Sequence, residues 1–221
     1  MVFLAGLAGL LLVLTVEAKI GNSDLPTSFC TETKECLLYD LVCERDGYEV
    51  RHYEPAKWVT TEEKSYIMEV AMTTAFGRLF KYITGSNEAG IEIDMTGPVI
   101  IKTEETGNLW DPTTYTMSFL LPSAHQSAPP KPTDETVFFT DMPDMKVYVR
   151  SYGGWMLFVS DKLHSHLLST KLDNVGATYD KNYHYAVGYD SPRKFVNRHN
   201  EVWYVAEGEP VCSSPETTTS P

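Results

Sequence analysis

The sequence predicts an α+β domain with two helices packed on a curved sheet, and three observations carry that expectation. Alternating or β-branched runs recur along most of the chain, as strands require. Two stretches, 66–83 and about 156–173, space their apolar residues at helical intervals instead. The order strand, helix, strand, strand occurs twice. With 221 residues, 43% of them hydrophobic, the chain has material for one ordinary core.

At the start, Met1 to Val16 is an apolar run that stops at Glu17-Ala18-Lys19, with Val16 and Ala18 as the small residues a signal peptidase reads. The run is shorter than the roughly 20 residues that cross a bilayer, and no second one follows. We therefore expect a signal peptide over 1–18, no membrane span, and a secreted, extracellular protein. Segment 19–45 is polar and carries Cys30, Cys36 and Cys43; Cys212 lies beyond the last strand signal. An even set of cysteines in an exported chain favours two disulfides, and the absence of a C-x-x-C pair disfavours zinc. Three connectivities are open. The expected one joins Cys43 to Cys212 across the outer ends of the domain and leaves Cys30 with Cys36.

The folded unit then runs strand by strand. Tyr48 to Tyr53 alternates, and Trp58 to Thr61 resumes after a turn at Pro55. In the first helix Met68, Met72, Ala75, Phe76, Leu79, Phe80 and Ile83 form one stripe, and Gly85 is placed to end it. Strand character returns at 91–95, 98–101 and 115–121, followed by a proline-rich loop over 122–134 and strands at 137–139 and 145–150. The second helix is expected to turn Val159, Leu163 and Leu167 inward, with Leu168 beside them. Strands at 184–187 and 201–205 complete the pattern, and the Ser/Thr/Pro tail 213–221 cannot build a core. Val50-Arg51-His52-Tyr53 is echoed by Val149-Arg150-Ser151-Tyr152, and Thr96-Gly97-Pro98 by Asp190-Ser191-Pro192. Such echoes suggest duplication, a pseudo-two-fold domain, and a cleft where its halves meet.

Charge and motifs narrow the function. A formal net charge of −12 is unsuited to a polyanion, so no nucleic acid partner is expected. No N-x-Ser/Thr sequon is present. No nucleophile elbow, H-E-x-x-H, phosphate loop or dinucleotide fingerprint occurs, and no catalytic residue is assigned. Glu62-Glu63 and Glu104-Glu105 are adjacent on strands, point to opposite faces, and read as solvated charges. His164 and His166 point to different sides of a helix, His125 sits in the proline-rich loop, and His184 and His199 have no carboxylate at a recognisable spacing.

Tyr48-Glu49-Val50-Arg51-His52-Tyr53, the helix end Phe76 to Asn87, Met95-Thr96-Gly97-Pro98-Val99, Gly188 to Pro192 and Asn197 to Trp203, in that order, resemble the SOUL haem-binding family. The resemblance implies a distorted β-barrel of two pseudo-symmetric βαββ-type repeats with two flanking helices, similar to the ligand-binding domains of bacterial drug-sensing regulators. It implies haem or a porphyrin as ligand, a carrier or buffer role, and His52 as axial ligand of the haem iron. A sister branch lacks this histidine and is still described as binding tetrapyrroles through apolar surface. The division expected is signal peptide 1–18, cysteine-bearing segment 19–45, ligand-binding domain 46–209 and tail 210–221.

The residues themselves bear on that ligand. Haem asks for apolar surface, cations for its propionates, and usually an iron ligand. His52 shares a strand face with Val50 and Tyr48, while Arg51 points the other way. Met68, Met72 and Phe76 lie at successive i, i+4 positions, suited to a flat apolar ligand or to ordinary packing. Arg51, Lys57, Lys64, Arg78 and Lys81 are available as propionate partners. Competing expectations are a binder of another amphipathic molecule and a hydrolase acting on one through a buried acid. A protein-interaction role would use Leu168 to Asp173, whose leucine spacing resembles a death-factor-like segment of intracellular relatives, but export would separate it from such partners.

Overall fold

The computed structural model describes residues 19–22, 29–105 and 111–212. The expected signal peptide and the Ser/Thr/Pro tail lie outside the described residues. β1 (Ile20–Asn22) and β2 (Glu35–Leu37) pair as a small antiparallel ribbon. β3 (Asp40–Arg45), β4 (Tyr48–Tyr53) and β5 (Ala56–Ser65) lead into helix α1 (Met68–Ile83). β6 (Val99–Glu104), β7 (Thr113–Leu120), β8 (Val137–Met142) and β9 (Met145–Tyr152) follow, then helix α2 (Phe158–Asn174), β10 (Tyr183–Gly188) and β11 (Asn200–Val205). The nine strands from β3 onward form one antiparallel sheet in the order β3-β4-β9-β11-β10-β6-β7-β5-β8.

Chain connectivity shows that this sheet is rolled. Glu54 and Pro55 alone join β4 to β5, a linker that reaches about 10 Å. Yet the two strands stand six ladder steps apart, which at ~4.8 Å per strand is about 29 Å in a flat sheet. Pro143 and Asp144 impose the same condition on β8 and β9. The sheet must therefore curl until its outer strands approach, and one face becomes an interior. Tyr53, Trp58, Ile100, Leu120, Val147, Val187 and Trp203, from seven strands, meet there in one cluster. Among the described residues no ladder joins β3 to β8, so hydrogen bonding leaves the sheet open.

The order of β4 to β11 reads identically in reverse when β4, β5, β6 and β7 are exchanged with β8, β9, β10 and β11. The centre of this arrangement is the β6–β10 ladder. The two sequence echoes do not fall on exchanged positions: Val50 to Tyr53 lies in β4 and Val149 to Tyr152 in β9, which are hydrogen-bonded neighbours. Thr96-Gly97-Pro98 precedes β6, whereas Asp190-Ser191-Pro192 follows β10. Similar short strings arise wherever strands share the same alternation.

The helices cover the outer face. α1 packs on β5 and β7 through Met68, Ala71, Ala75, Leu79, Tyr82 and Ile83. Gly85, at φ 117°, turns the chain out of the helix, a conformation that favours glycine. α2 lies on β9 and β11, but its orientation corrects the expectation. Its buried residues are Asp161, Ser165, Leu168 and Leu172, while Val159 is 75% and Leu163 52% exposed and Leu167 is also outside. A polar contact under the first turns, described below, rotates the apolar stripe outward. Leu168 and Leu172 are fully buried, so the leucine-spaced segment presents neither to a partner.

Two further differences have local causes. Segment 91–95 is a loop, because Asn87 Nδ2 donates to the Tyr82 and Ile91 carbonyls at 3.0 and 2.8 Å and supplies partners a strand would otherwise need. Conversely, Cys36 lies in β2 and Cys43 in β3, so strands begin inside the polar N-terminal segment. β3 is an edge strand whose Leu41 and Val42 are exposed, and an edge needs no buried alternation to pair. Cys43 is bonded to Cys212 and Cys30 to Cys36, which ties β3 to the C-terminal segment.

Candidate functional site

An apolar cavity of about 450 Å³ opens on the outer face, between α1 and the β10–β11 connection. α1 contributes Glu69, Met72, Thr73 and Phe76, whose i, i+3, i+4 spacing stacks them along one edge of the helix. Val99 and Ile101 of β6, Met117 of β7 and Gly188 of β10 form the floor. Trp155 and Met156, on the approach to α2, form the opposite wall with Asp190, Pro192 and Arg198 of the β10–β11 connection.

Local chemistry explains how these walls stand. Gly154, at φ 84°, lets the chain leave β9 sharply, and its carbonyl accepts from Asn200 Nδ2 at 2.8 Å. At Gly188 an added Cβ would lie 3.2 Å from Met156 Cε, so the missing side chain makes room for the methionine. Arg198 gathers its loop by donating from Nη1 to the Ser191 and Lys194 carbonyls, at 2.6 and 2.8 Å, and from Nη2 to the Asp190 carbonyl at 3.1 Å. Its guanidinium sits 4.5 Å over the Trp155 ring. Among the described residues Arg198 Nε is buried with no partner, so a cation at the cavity has an unused donor. The two carboxylates are occupied. Glu69 accepts the Phe158 N–H at 2.9 Å, and Asp190 accepts the His199 N–H at 2.6 Å and pairs with Lys194.

The structure brings Met72 and Phe76 to this cavity and leaves His52 and Met68 elsewhere. Met68 is 1% exposed and packs in the core beneath α1. His52, on β4, is separated from the floor strand β10 by β9 and β11. Its side chain is 27% exposed, with Nε2 2.7 Å from Asp144 Oδ2 and Nδ1 3.9 Å from Asp40 Oδ2. Nor does any of the five cations expected near the ligand line the cavity. Arg51 is fully buried and pairs with Glu201 at 2.9 Å, Lys57 pairs with Asp141, and Arg78 with Glu63 at 2.8 Å. Arg198, Trp155 and Met156 went unassigned in the sequence, where Gly153-Gly154-Trp155-Met156 was the one visible signal: two glycines before exposed-looking large side chains.

Two polar clusters flank the site. His184 of β10 is buried, with Nδ1 2.6 Å from Glu105 Oε1 and Nε2 2.9 Å from Asp161 Oδ2. Burial alone would lower its pKa, but the two carboxylates outweigh that cost and raise it to about 9. Glu105 is likewise not solvated: against the upward pull of burial, His184 and Lys162 hold it down at about 2. On the inner face Glu201 accepts from Arg51 and also from Tyr189 Oη at 3.0 Å and Trp203 Nε1 at 2.7 Å, with His199 at 2.7 Å. Burial opposes its ionisation, yet the Arg51 charge and these donors keep its pKa below the usual carboxylate value. His184 thus has carboxylates that spacing did not reveal, because Glu105 comes from just beyond β6 and Asp161 from α2, whereas His199 meets Glu201 only two residues along its own segment. The His164 ring stacks on Tyr152 at 4.1 Å.

Comparison with known proteins follows the same outline. A family model described as SOUL heme-binding protein matches residues 34–205. Heme-binding protein 2 of Homo sapiens is 39% identical over 165 residues, covering 75% of this chain and 80% of that protein. Heme-binding protein 2 of Mus musculus is 36% identical, covering 74% and 80%, and heme-binding protein 1 of Mus musculus 33% identical, covering 72% and 84%. Among solved structures, the C-terminal domain of EcmrR superposes with a TM-score of 0.56 at 8% identity, covering 77% of this chain and 98% of that one, a likeness of fold.

Proposed function

Because this chain belongs to the SOUL heme-binding family, we propose that it binds haem or a related tetrapyrrole in the cavity between α1 and the β10–β11 connection. The observation that carries this reading is an apolar cavity of about 450 Å³ with a single cation at its wall. That volume lies within the roughly 300–1,000 Å³ of small-molecule sites. Met72, Phe76, Met117, Met156 and Trp155 would enclose the macrocycle, and Arg198, with its unpartnered Nε, would meet a propionate. The lining holds no imidazole or thiolate, so apolar burial would carry most of the affinity in this site, with the Met72, Met117 and Met156 thioethers as its candidate iron ligands.

A second reading keeps His52 as the iron ligand. A carboxylate that engages one ring nitrogen is the usual support of a ligating histidine, and Asp144 stands in that relation to Nε2. The two readings separate cleanly. Titration of the purified protein with haemin and with iron-free protoporphyrin should give saturable absorption changes with both. Phe76→Asp, which puts a charge on the half-buried edge of the cavity, should weaken both by about tenfold or more. If only haemin binds and His52→Ala abolishes it, the second reading holds. If neither porphyrin saturates, the cavity takes a different amphipathic molecule.

Binding without turnover fits the occupied state of Glu69 and Asp190, neither of which is a free general base. The proposed setting is a secreted carrier or buffer: a leader over 1–18, a cysteine-bearing segment 19–45, the ligand-binding domain 46–209 and a tail 210–221. Two disulfides suit an oxidising compartment. The reversible strand order supports a distorted barrel of two βαββ-type repeats, with the cavity on its seam.

A further inference from the structure

Large apolar and aromatic side chains are exposed around the cavity mouth. Tyr66, Ile67 and Val70 at the start of α1, Trp155 before α2, and Phe195 and Val196 in the β10–β11 connection are all exposed, the last two at 77% and 70%. They belong to one region: the Glu69 carboxylate receives the Phe158 N–H across the gap between the helices, and the Trp155 and Phe195 rings touch edge to face at 6.0 Å. Apolar surface gathered on one rim calls for an occupant.

Charge decides which occupant. The whole chain carries −12, yet here Asp161 is met by His184 and Asp190 by Lys194, while Glu69 and Glu32 are held in hydrogen bonds to the Phe158 N–H and to Ser191; against these stand four cations, Lys64, Arg193, Lys194 and Arg198. Lys64, Arg193 and Arg198 have no carboxylate at ion-pair distance among the described residues; the Arg198 guanidinium is held by carbonyls, and only the backbone N–H of Arg193 donates, to Ser191 Oγ. The rim therefore combines Trp, Tyr and Phe with cations outside any ion pair and without the strong negative charge of the whole chain, the pairing that seats a protein at a lipid interface.

We propose that the rim of the cavity is a docking face for an anionic lipid surface, with Phe195 and Val196 at its tip. The inference concerns the rim and holds whichever ligand fills the cavity. The strongly negative remainder of the molecule would orient it, rim towards the bilayer, so that the cavity opens on the acyl boundary where flat amphipathic molecules partition.

The test is co-sedimentation of the purified protein with vesicles of phosphatidylcholine alone and of phosphatidylcholine with phosphatidylserine. Binding is expected to the mixed vesicles, to weaken with salt, and to shift tryptophan emission to the blue as Trp155 leaves water. The double variant Phe195→Ser, Val196→Ser should lose about tenfold or more of the partitioning while unfolding at the same temperature, because both side chains are largely in solvent. No partitioning of the unaltered protein, or equal partitioning of the variant, overturns the proposal. So does concentration-dependent self-association that the same variant abolishes, which would assign the face to a second copy of the chain.

Discussion

Replacing Asp161 by Asn tests how α2 is held over the seam. The helix exposes its apolar stripe and buries only Leu168 and Leu172 among its large side chains, so its first turns depend on Asp161 meeting His184 at 2.9 Å. The folded protein raises the His184 pKa from 6.5 to about 9. At ~1.4 kcal/mol per pKa unit, the imidazolium with both its carboxylates is worth about 3 kcal/mol. Glu105 remains in the variant and His184 can shed its proton, so the loss should stay near 1–2 kcal/mol, below the ~3–5 kcal/mol of a stranded buried charge. The direction with pH follows from the raised pKa: the stabilisation is complete below the unfolded value of 6.5 and disappears as pH rises through about 9. Urea unfolding of both proteins from about pH 6 to pH 10 should therefore show a gap that closes at the alkaline end. A gap independent of pH, or none at pH 6, refutes a charged clamp at this position.

Three other expectations follow from packing and connectivity. Leu168→Ala should cost about 2–5 kcal/mol, whereas Leu163→Ala should stay within roughly 0.5 kcal/mol, and equal losses in denaturant titrations would mean that α2 is rotated otherwise. Glu201→Gln should destabilise the fold by about 1–3 kcal/mol, below the ~3–5 kcal/mol of a stranded buried charge, because the buried Arg51 loses Glu201 but keeps Glu49 at 2.7 Å; a near-neutral result by the same assay would contradict the pairing. Removing the Cys43–Cys212 bridge as a double Ser variant frees a loop of 169 residues and should cost about 5 kcal/mol by chain entropy, while loss of Cys30–Cys36, spanning 6, should cost about 2; calorimetry that reversed this order would count against the entropic argument.

Much of the fold was determined by local pattern alone. β4 is an alternating run, β9 and β11 are rich in β-branched and aromatic residues, and α1 repeats apolar residues at helical spacing with a glycine beyond its end, so composition, period and punctuation sufficed. The family was equally legible, since its motifs are contiguous strings in fixed order. Patterns failed where burial was not apolar. The Val159-Leu163-Leu167 stripe predicts the wrong face of α2, because a buried Asp161–His184 contact, formed between residues 23 apart, competes successfully for the inward side. β3 was unreadable because an exposed edge strand imposes no alternation.

The site divides in the same way. Met72 and Phe76 were within reach because both lie on one helix, and helical spacing fixes which residues share an edge. His52 was attractive as a motif position, but only the ladder order reveals that β9 and β11 stand between it and the cavity floor. Arg198, Trp155 and Met156 acquire their meaning from the rolled sheet, which carries the end of β9 and the β10–β11 connection to opposite α1. A cavity is a relation among segments distant in sequence, and a one-dimensional pattern carries the identity of its wall residues without their juxtaposition. Sequence alone thus determined most of the elements and the family, while the tertiary roll of the sheet decided which side chains line the cavity.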